Sequence, residues 1–201
     1  MTRNDERIAR AKERPLLNSL PHFPGIVAAM KLSPKLEEAM SNQANVLLFD
    51  EYKGTTLSKA EREMIATSVS ASNDCFFCMD SHGAFTKGHL LAEGTDTTTA
   101  DDLVCDLKDG NFEKLSPKMA KLIEVAIQVT KAPRALTQEQ IEAAFNEGAV
   151  EQDLQLAIMI GASFAMYNRM VDGFRAMTPP DITMHNPVAE QIITGGYLRD
   201  R

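Results

Sequence analysis

Two segments close together decide how this chain is read: Ser58-Lys59-Ala60-Glu61-Arg62-Glu63 and, twelve residues after Glu63, Cys75-Phe76-Phe77-Cys78-Met79-Asp80-Ser81-His82. Ser58 with Glu61 is a capping box, and the run it opens through Ile65, Val69 and Ala71 has the spacing of an amphipathic helix ending near Asn73. Asn73-Asp74 favours a fresh N-cap, so a second helix is expected from Cys75 to about Lys87, stopped by Gly88. On it Cys75, Cys78 and His82 stand at i, i+3 and i+7, which puts them on one face. A CxxC pair can close a disulfide across one turn, and a helix N-terminus and a nearby imidazole both favour thiolate, so reversible dithiol chemistry is the direct reading.

Other readings of the same residues are open at this point. Cysteines are frequently inert core residues. Two cysteines, His82 and Glu63 would also make an acceptable zinc set, although a second ligand pair of the usual kind is absent. Cys105 stands apart, among Asp101, Asp102 and Asp106, where thiolate formation is opposed.

Working outward, the rest of the chain reads as helix. Segments are expected at Gly25 to Leu32 and at Ser33 to Tyr52, the latter with Ser33 as cap and Pro34 in the first turn. Gly94 to Thr99 reads as a polar linker and Ala100 to Leu107 as a short helix closed by Asp109-Gly110. Ser116-Pro117 opens a long amphipathic helix ended by Pro133, and Thr137 to Gln140 is a capping box for a helix to about Gly148. Val150 to Phe174 is apolar nearly all round, which predicts a position in the middle of a bundle or at an interface. No strand-length alternation competes, so the fold class is all-α.

A faint repeat accompanies this. Leu57-Ser58 with Ile65 recurs as Leu115-Ser116 with Ile123, and Pro133 stands where Cys75 would fall. Two related helical hairpins, one of them carrying chemistry, would produce it. The expected organisation is an N-terminal arm over 1–20, a helical domain over 21–177 and a tail over 178–201, with Ala11 to Pro24 an irregular lead-in broken by Pro15, Pro21 and Pro24.

Composition narrows the partners. The 201 residues are 44% hydrophobic and carry a formal charge of −7, with a pI near 5.1. No basic stripe is present to neutralise phosphates, which argues against nucleic acid or an anionic membrane. No run approaches a membrane span and the charged start lacks a signal-peptide core, so a cytoplasmic protein acting on small molecules and proteins is expected. Three cysteines fit a catalytic pair plus one spare.

The pattern E-x11-C-x2-C-x3-H formed by Glu63, Cys75, Cys78 and His82 resembles the active-site signature of the alkylhydroperoxidase D-like (AhpD-like) branch of the carboxymuconolactone decarboxylase superfamily. Leu57 to Glu63 resembles the helix leading into that motif, and Tyr167 to Phe174 the closing helix of its peroxidase-related subgroup. The resemblance implies an AhpD-like helical bundle and a thiol-dependent hydroperoxide reductase. In it Cys78 would attack the peroxide, Cys75 would donate a proton and then resolve the sulfenic acid as a disulfide, and His82 with Glu63 would form the proton relay. It implies no metal or organic cofactor, a protein or small-thiol reductant, and a homo-oligomer, trimer or hexamer. Some members carry a histidine between the cysteines where this chain has Phe77, which makes the pocket more apolar. The superfamily also contains decarboxylases lacking the CxxC pair, so a decarboxylase-like enzyme on a lactone or organic acid is the alternative, and a redox sensor or metal-binding module the third.

Among residues outside the motif, His89 reads as a solvated cap beyond Gly88, and Asn168 with Arg169 as an anchor for a helix or subunit contact, a plain surface arginine being the alternative for Arg169. His22 and His185 lie near prolines and receive no role. The tail, with Ile182, Met184, Val188, Ile192, Ile193, Tyr197 and Leu198, is too irregular to build its own core. It reads as an arm laid across a neighbouring subunit or, alternatively, folded back over its own helices.

Overall fold

The computed structural model describes residues 2–198. Its described residues form ten α-helices and no strand: α1 (Arg3–Arg10), α2 (Ile26–Met30), α3 (Pro34–Leu48), α4 (Lys59–Ser72), α5 (Phe76–Ala92), α6 (Thr97–Asp109), α7 (Pro117–Lys131), α8 (Gln138–Asn146), α9 (Glu151–Phe174) and α10 (Asn186–Gly195). Short 3-10 turns lie at Pro133–Ala135 and Ile182–His185. The all-α expectation and most element positions therefore hold. No helix among the described residues is long and apolar enough to cross a membrane.

The expected caps form. The Ser58, Ser116 and Thr137 hydroxyls accept from Glu61 N–H, Met119 N–H and Gln140 N–H respectively. Each satisfies one of the amide donors that a helix start leaves unpaired. The two units of the faint repeat share this cap, and Ile65 and Ile123 are both completely buried.

α4 lies along α5, and α7 and α9 pack on each other and on α4. The main core runs between them through Ile65, Val69, Leu122, Ile123, Leu156, Ile160 and Phe164. Gly161 sets the closest approach: a Cβ there would stand 2.6 Å from the carbonyl oxygen of Ala126, so only glycine lets α9 touch the α7 backbone. Asn168 anchors a helix contact, donating to Ser70 Oγ at 3.2 Å and accepting from Asn73 Nδ2 at 2.8 Å. Arg169 donates to the carbonyl oxygens of Ala165 and Thr130.

Three details differ from the sequence expectation. Asn73 is the C-cap of α4, Asp74 takes a left-handed φ of +57°, and Cys75 is itself the N-cap of α5. The chain turns sharply between the two helices, and the side chain expected to cap α5 sits in the turn instead. Gly88 does not stop α5, which continues to Ala92; its missing Cβ admits Ile193, whose Cδ1 would lie 2.0 Å from one. α6 starts at Thr97 under an Asp96 cap, inside the expected linker.

Residues 178–198 of the tail fold back over the chain's own helices, while 199–201 lie outside the described residues. After an isolated bridge between Pro24 and Met177, the tail forms α10, which packs on α5. Ile192 and Ala189 pack on Phe85.

Candidate functional site

All four motif residues sit on the α4–α5 pair. Glu63 is on the face of α4 that meets α5 and is fully buried. One turn after Cys78, His82 holds its Nδ1 2.7 Å from Glu63 Oε2. A carboxylate only accepts, so Nδ1 carries the hydrogen and Nε2 is the nitrogen left to exchange a proton. The rings of Phe85 and Phe164 stand edge-on to His82 at 5.1 and 4.6 Å and fix its orientation.

The two cysteines occupy unequal positions. Both are buried and unbonded to each other as a disulfide, in an apolar cluster with Leu20, Ala28, Phe77, Val171 and Ala176 that is separate from the main core. Only Cys78 lines the adjoining cavity, of about 210 Å³. Cys75 lies behind it, fully enclosed. A hydrogen bond to Cys78, followed by burial, pushes the Cys75 thiol well above its ordinary range. The helix N-terminus was expected to favour thiolate at this residue, but the loss of water and the neighbouring sulfur outweigh it, and Cys75 stays protonated. Asp172 lies beside Cys75 and is raised by burial, which Arg10 and the Cys75 thiol partly offset.

The cavity is walled by Met30, Phe77, Phe85, Phe164, Met184 and Val188, among others, and among the described residues no Asp, Glu, Lys or Arg lines it. Phe77, in the slot between the cysteines, meets His185 edge-on at 5.3 Å. Burial pushes His185 down to about 4, so it is a neutral ring near pH 7.

Three residues near the site escaped the sequence reading. Tyr197, from the tail, donates its hydroxyl to Glu63 Oε1. His185 was given no role, yet it lines the cavity. His89 is not a solvated cap: it is buried, its Nε2 has no partner, and burial lowers it. The fold-back of the tail over α5 brings Tyr197 and His185 to the site, and His89 has Glu63 and Lys59 of α4 beside it. No local pattern around residues 185 or 197 announces their contacts, because these span more than a hundred residues. Cys105 is exposed and apart from the site.

Among the described residues, no three of His, Cys, Asp and Glu are grouped so as to hold a metal ion. Both Glu63 oxygens already have donors, from His82 and Tyr197.

The family model for the carboxymuconolactone decarboxylase family matches residues 28–93, which contain the whole four-residue motif. Two solved structures share the fold. One is the alkylhydroperoxidase AhpD core, an uncharacterized peroxidase-related protein from Ralstonia eutropha JMP134, with a TM-score of 0.66, 23% identity, and 81% of each chain covered. The other is an uncharacterized peroxidase-related protein from Silicibacter sp. TM1040, with a TM-score of 0.65, 24% identity, and 84% of this chain and 91% of that one covered. No curated protein matches the chain.

Proposed function

We propose that the protein is a thiol-dependent hydroperoxide reductase working through the Cys75/Cys78 dithiol. The observation that carries this reading is the asymmetry of the two sulfurs: Cys78 faces the cavity while Cys75, in the same apolar cluster, is fully enclosed behind it. A nucleophile needs access and a resolving partner needs contact, and each cysteine has the property its role requires.

In this reading His82 takes the Cys78 proton at Nε2, its Nδ1–H held by Glu63. The thiolate attacks the terminal oxygen of the peroxide. An S–O bond forms as the O–O bond breaks, sulfur loses two electrons, and the departing alkoxide collects a proton to leave as an alcohol. The Cys75 thiol then condenses with the Cys78 sulfenic acid, closing the disulfide and releasing water. An external dithiol returns two electrons and two protons by exchange. Phe77 and the other apolar walls favour an organic hydroperoxide.

The second reading, a decarboxylase-like enzyme on a lactone or organic acid, draws support from the name of the matching family. It is weakened by the cavity: among the described residues no lysine or arginine lines it to pair with a carboxylate, and His185 is neutral near pH 7. A homo-oligomer, trimer or hexamer, completes the proposed picture, and light scattering on the intact chain checks it.

A free-thiol count before and after one equivalent of cumene hydroperoxide tests the reaction. Two thiols are lost in the wild type. With Cys75→Ser, dimedone labels Cys78, and with Cys78→Ser consumption stops. Turnover surviving Cys78→Ser, or dimedone on Cys75 in the wild type, overturns the assignment.

A further inference from the structure

Glu63 is a fully buried carboxylate with two oxygens to satisfy, and His82 satisfies only one. The other receives the hydroxyl of Tyr197, which arrives from the far end of the chain. The phenol ring also lies nearly parallel to His82, 16° between planes with centroids 6.3 Å apart, and its oxygen is 3.5 Å from His82 Nδ1. Tyr197 is thus in contact with both members of the pair.

The tail is built to hold the residue there. Gly196, at φ +74°, leaves no room for a side chain, since a Cβ would stand 2.3 Å from Asn45 Oδ1 and 2.7 Å from Phe49. That same Asn45 oxygen accepts the Tyr197 N–H at 2.8 Å. One turn earlier Ile193 enters the notch at Gly88 of α5. The segment also contributes Pro179, Met184, His185, Val188, Gln191 and Ile192 to the cavity wall, so the cavity is incomplete without it.

We propose that Tyr197 is a positioning residue of the dithiol site: its hydroxyl anchors Glu63 in the ionised form that holds His82 Nδ1–H, so the C-terminal segment sets the proton affinity of Cys78. The inference rests on the reading of Cys78 as the reactive thiol. Burial of the phenol, then the Glu63 charge and hydrogen bond, push Tyr197 well up, so it remains a donor throughout the working pH range. Without that donor the buried carboxylate is less favoured as an anion, so His82 Nε2 takes up a proton from solvent as the Nδ1 proton passes to Glu63, which becomes a carboxylic acid donating to Nδ1. His82 then presents Nε2–H to the cavity and has no lone pair there for the Cys78 proton. The other titratable groups facing these residues are Cys75 beside Cys78, His185 near His82, His89 near Glu63, and Tyr167 near Tyr197. Replacing one hydroxyl leaves all four in place.

The test is the pH profile of iodoacetamide alkylation at Cys78, read by mass spectrometry of its peptide in the full chain, so that Cys75 and Cys105 do not interfere. Tyr197→Phe keeps the ring and is expected to move the profile up by about one pH unit, with circular dichroism unchanged. Gly196→Ala keeps the hydroxyl but displaces it, and is expected to move the profile the same way. The double variant should move no further than Tyr197→Phe. A Tyr197→Phe profile that stays in place or moves down overturns the inference. Because alkylation needs no peroxide, this outcome is distinguishable from a failure of the hydroperoxidase reading, which would appear as a wild type that loses no thiols to peroxide.

Discussion

Glu63 and His82 meet at 2.7 Å across the α4–α5 crossing, the carboxylate fully buried and the imidazole at the cavity wall. A buried carboxylate at that distance holds the ring in the tautomer that carries its hydrogen on Nδ1 and leaves Nε2 free to accept. His82→Ala and Glu63→Gln are therefore both expected to slow alkylation of Cys78 near neutral pH by roughly tenfold, the rate difference of one unit in thiol pKa. At high pH, where thiolate forms unaided, the variants should converge on the wild type. Equal rates at neutral pH would remove the pair from the mechanism.

His185 gives the tail its own pH dependence. Its folded value is depressed to about 4 by burial, against about 6.5 in the unfolded chain. Between these values the unfolded state binds the extra proton. The stability from keeping the ring neutral is then complete above pH 6.5 and is lost as pH falls toward 4. The loss should reach about 2 kcal/mol by pH 5. Urea unfolding at pH 7 and pH 5 measures it. His185→Phe should flatten the difference, and a variant with the wild-type pH dependence would assign it to other groups.

The sequence made the α4–α5 half of the site readable because its spacing is local. Glu63, Cys75, Cys78 and His82 span only twenty residues, and helical periodicity converts that spacing into a shared face. Tyr197 and His185 were not readable. Their contacts depend on α10 folding back across α5, and the signal for that is distributed over Gly88, Ile193, Gly196 and Asn45, each ordinary by itself. Gly88 was misread for the same reason: a glycine in a helix suggests a stop until a side chain is found filling the space it leaves. Asp74 was misread as a cap because its residue type favours both caps and left-handed turns.

Gly25 and Phe77 define how far the cavity can be altered. A Cβ on Gly25, whose φ is +50°, would lie 2.1 Å from the Phe77 ring. Gly25→Ala must either shift the ring into the cavity or move the α2 lead-in away from Cys78. A loss of roughly 1–3 kcal/mol is expected, from overpacking and a strained φ together. Phe77→Leu should restore part of it in the double variant. Two losses that simply add would mean that the glycine is required by its backbone conformation alone.

Asp80, midway between Cys78 and His82 on α5, ties the first helix to the site. Its carboxylate accepts from Arg7 Nε at 2.5 Å and Nη2 at 3.1 Å, and from Lys108 Nζ at 2.8 Å, with all three side chains at most 9% exposed. Burial by itself would raise its pKa; the Arg7 and Lys108 hydrogen bonds and charges outweigh that and hold it low. Its contribution is therefore present above the ordinary carboxylate value and is lost only as pH falls through the lower folded one, a window below that of His185. Asp80→Asn leaves two buried cations sharing a neutral acceptor, at an expected cost of about 3–5 kcal/mol. Arg7→Leu should cost less, because Lys108 still neutralises Asp80, and it should loosen α1 before the bundle. Urea midpoints at pH 7, with amide exchange over residues 3–10, separate the two. If Asp80→Asn costs under about 1 kcal/mol, the cluster is not what fixes α5 between its two reactive side chains.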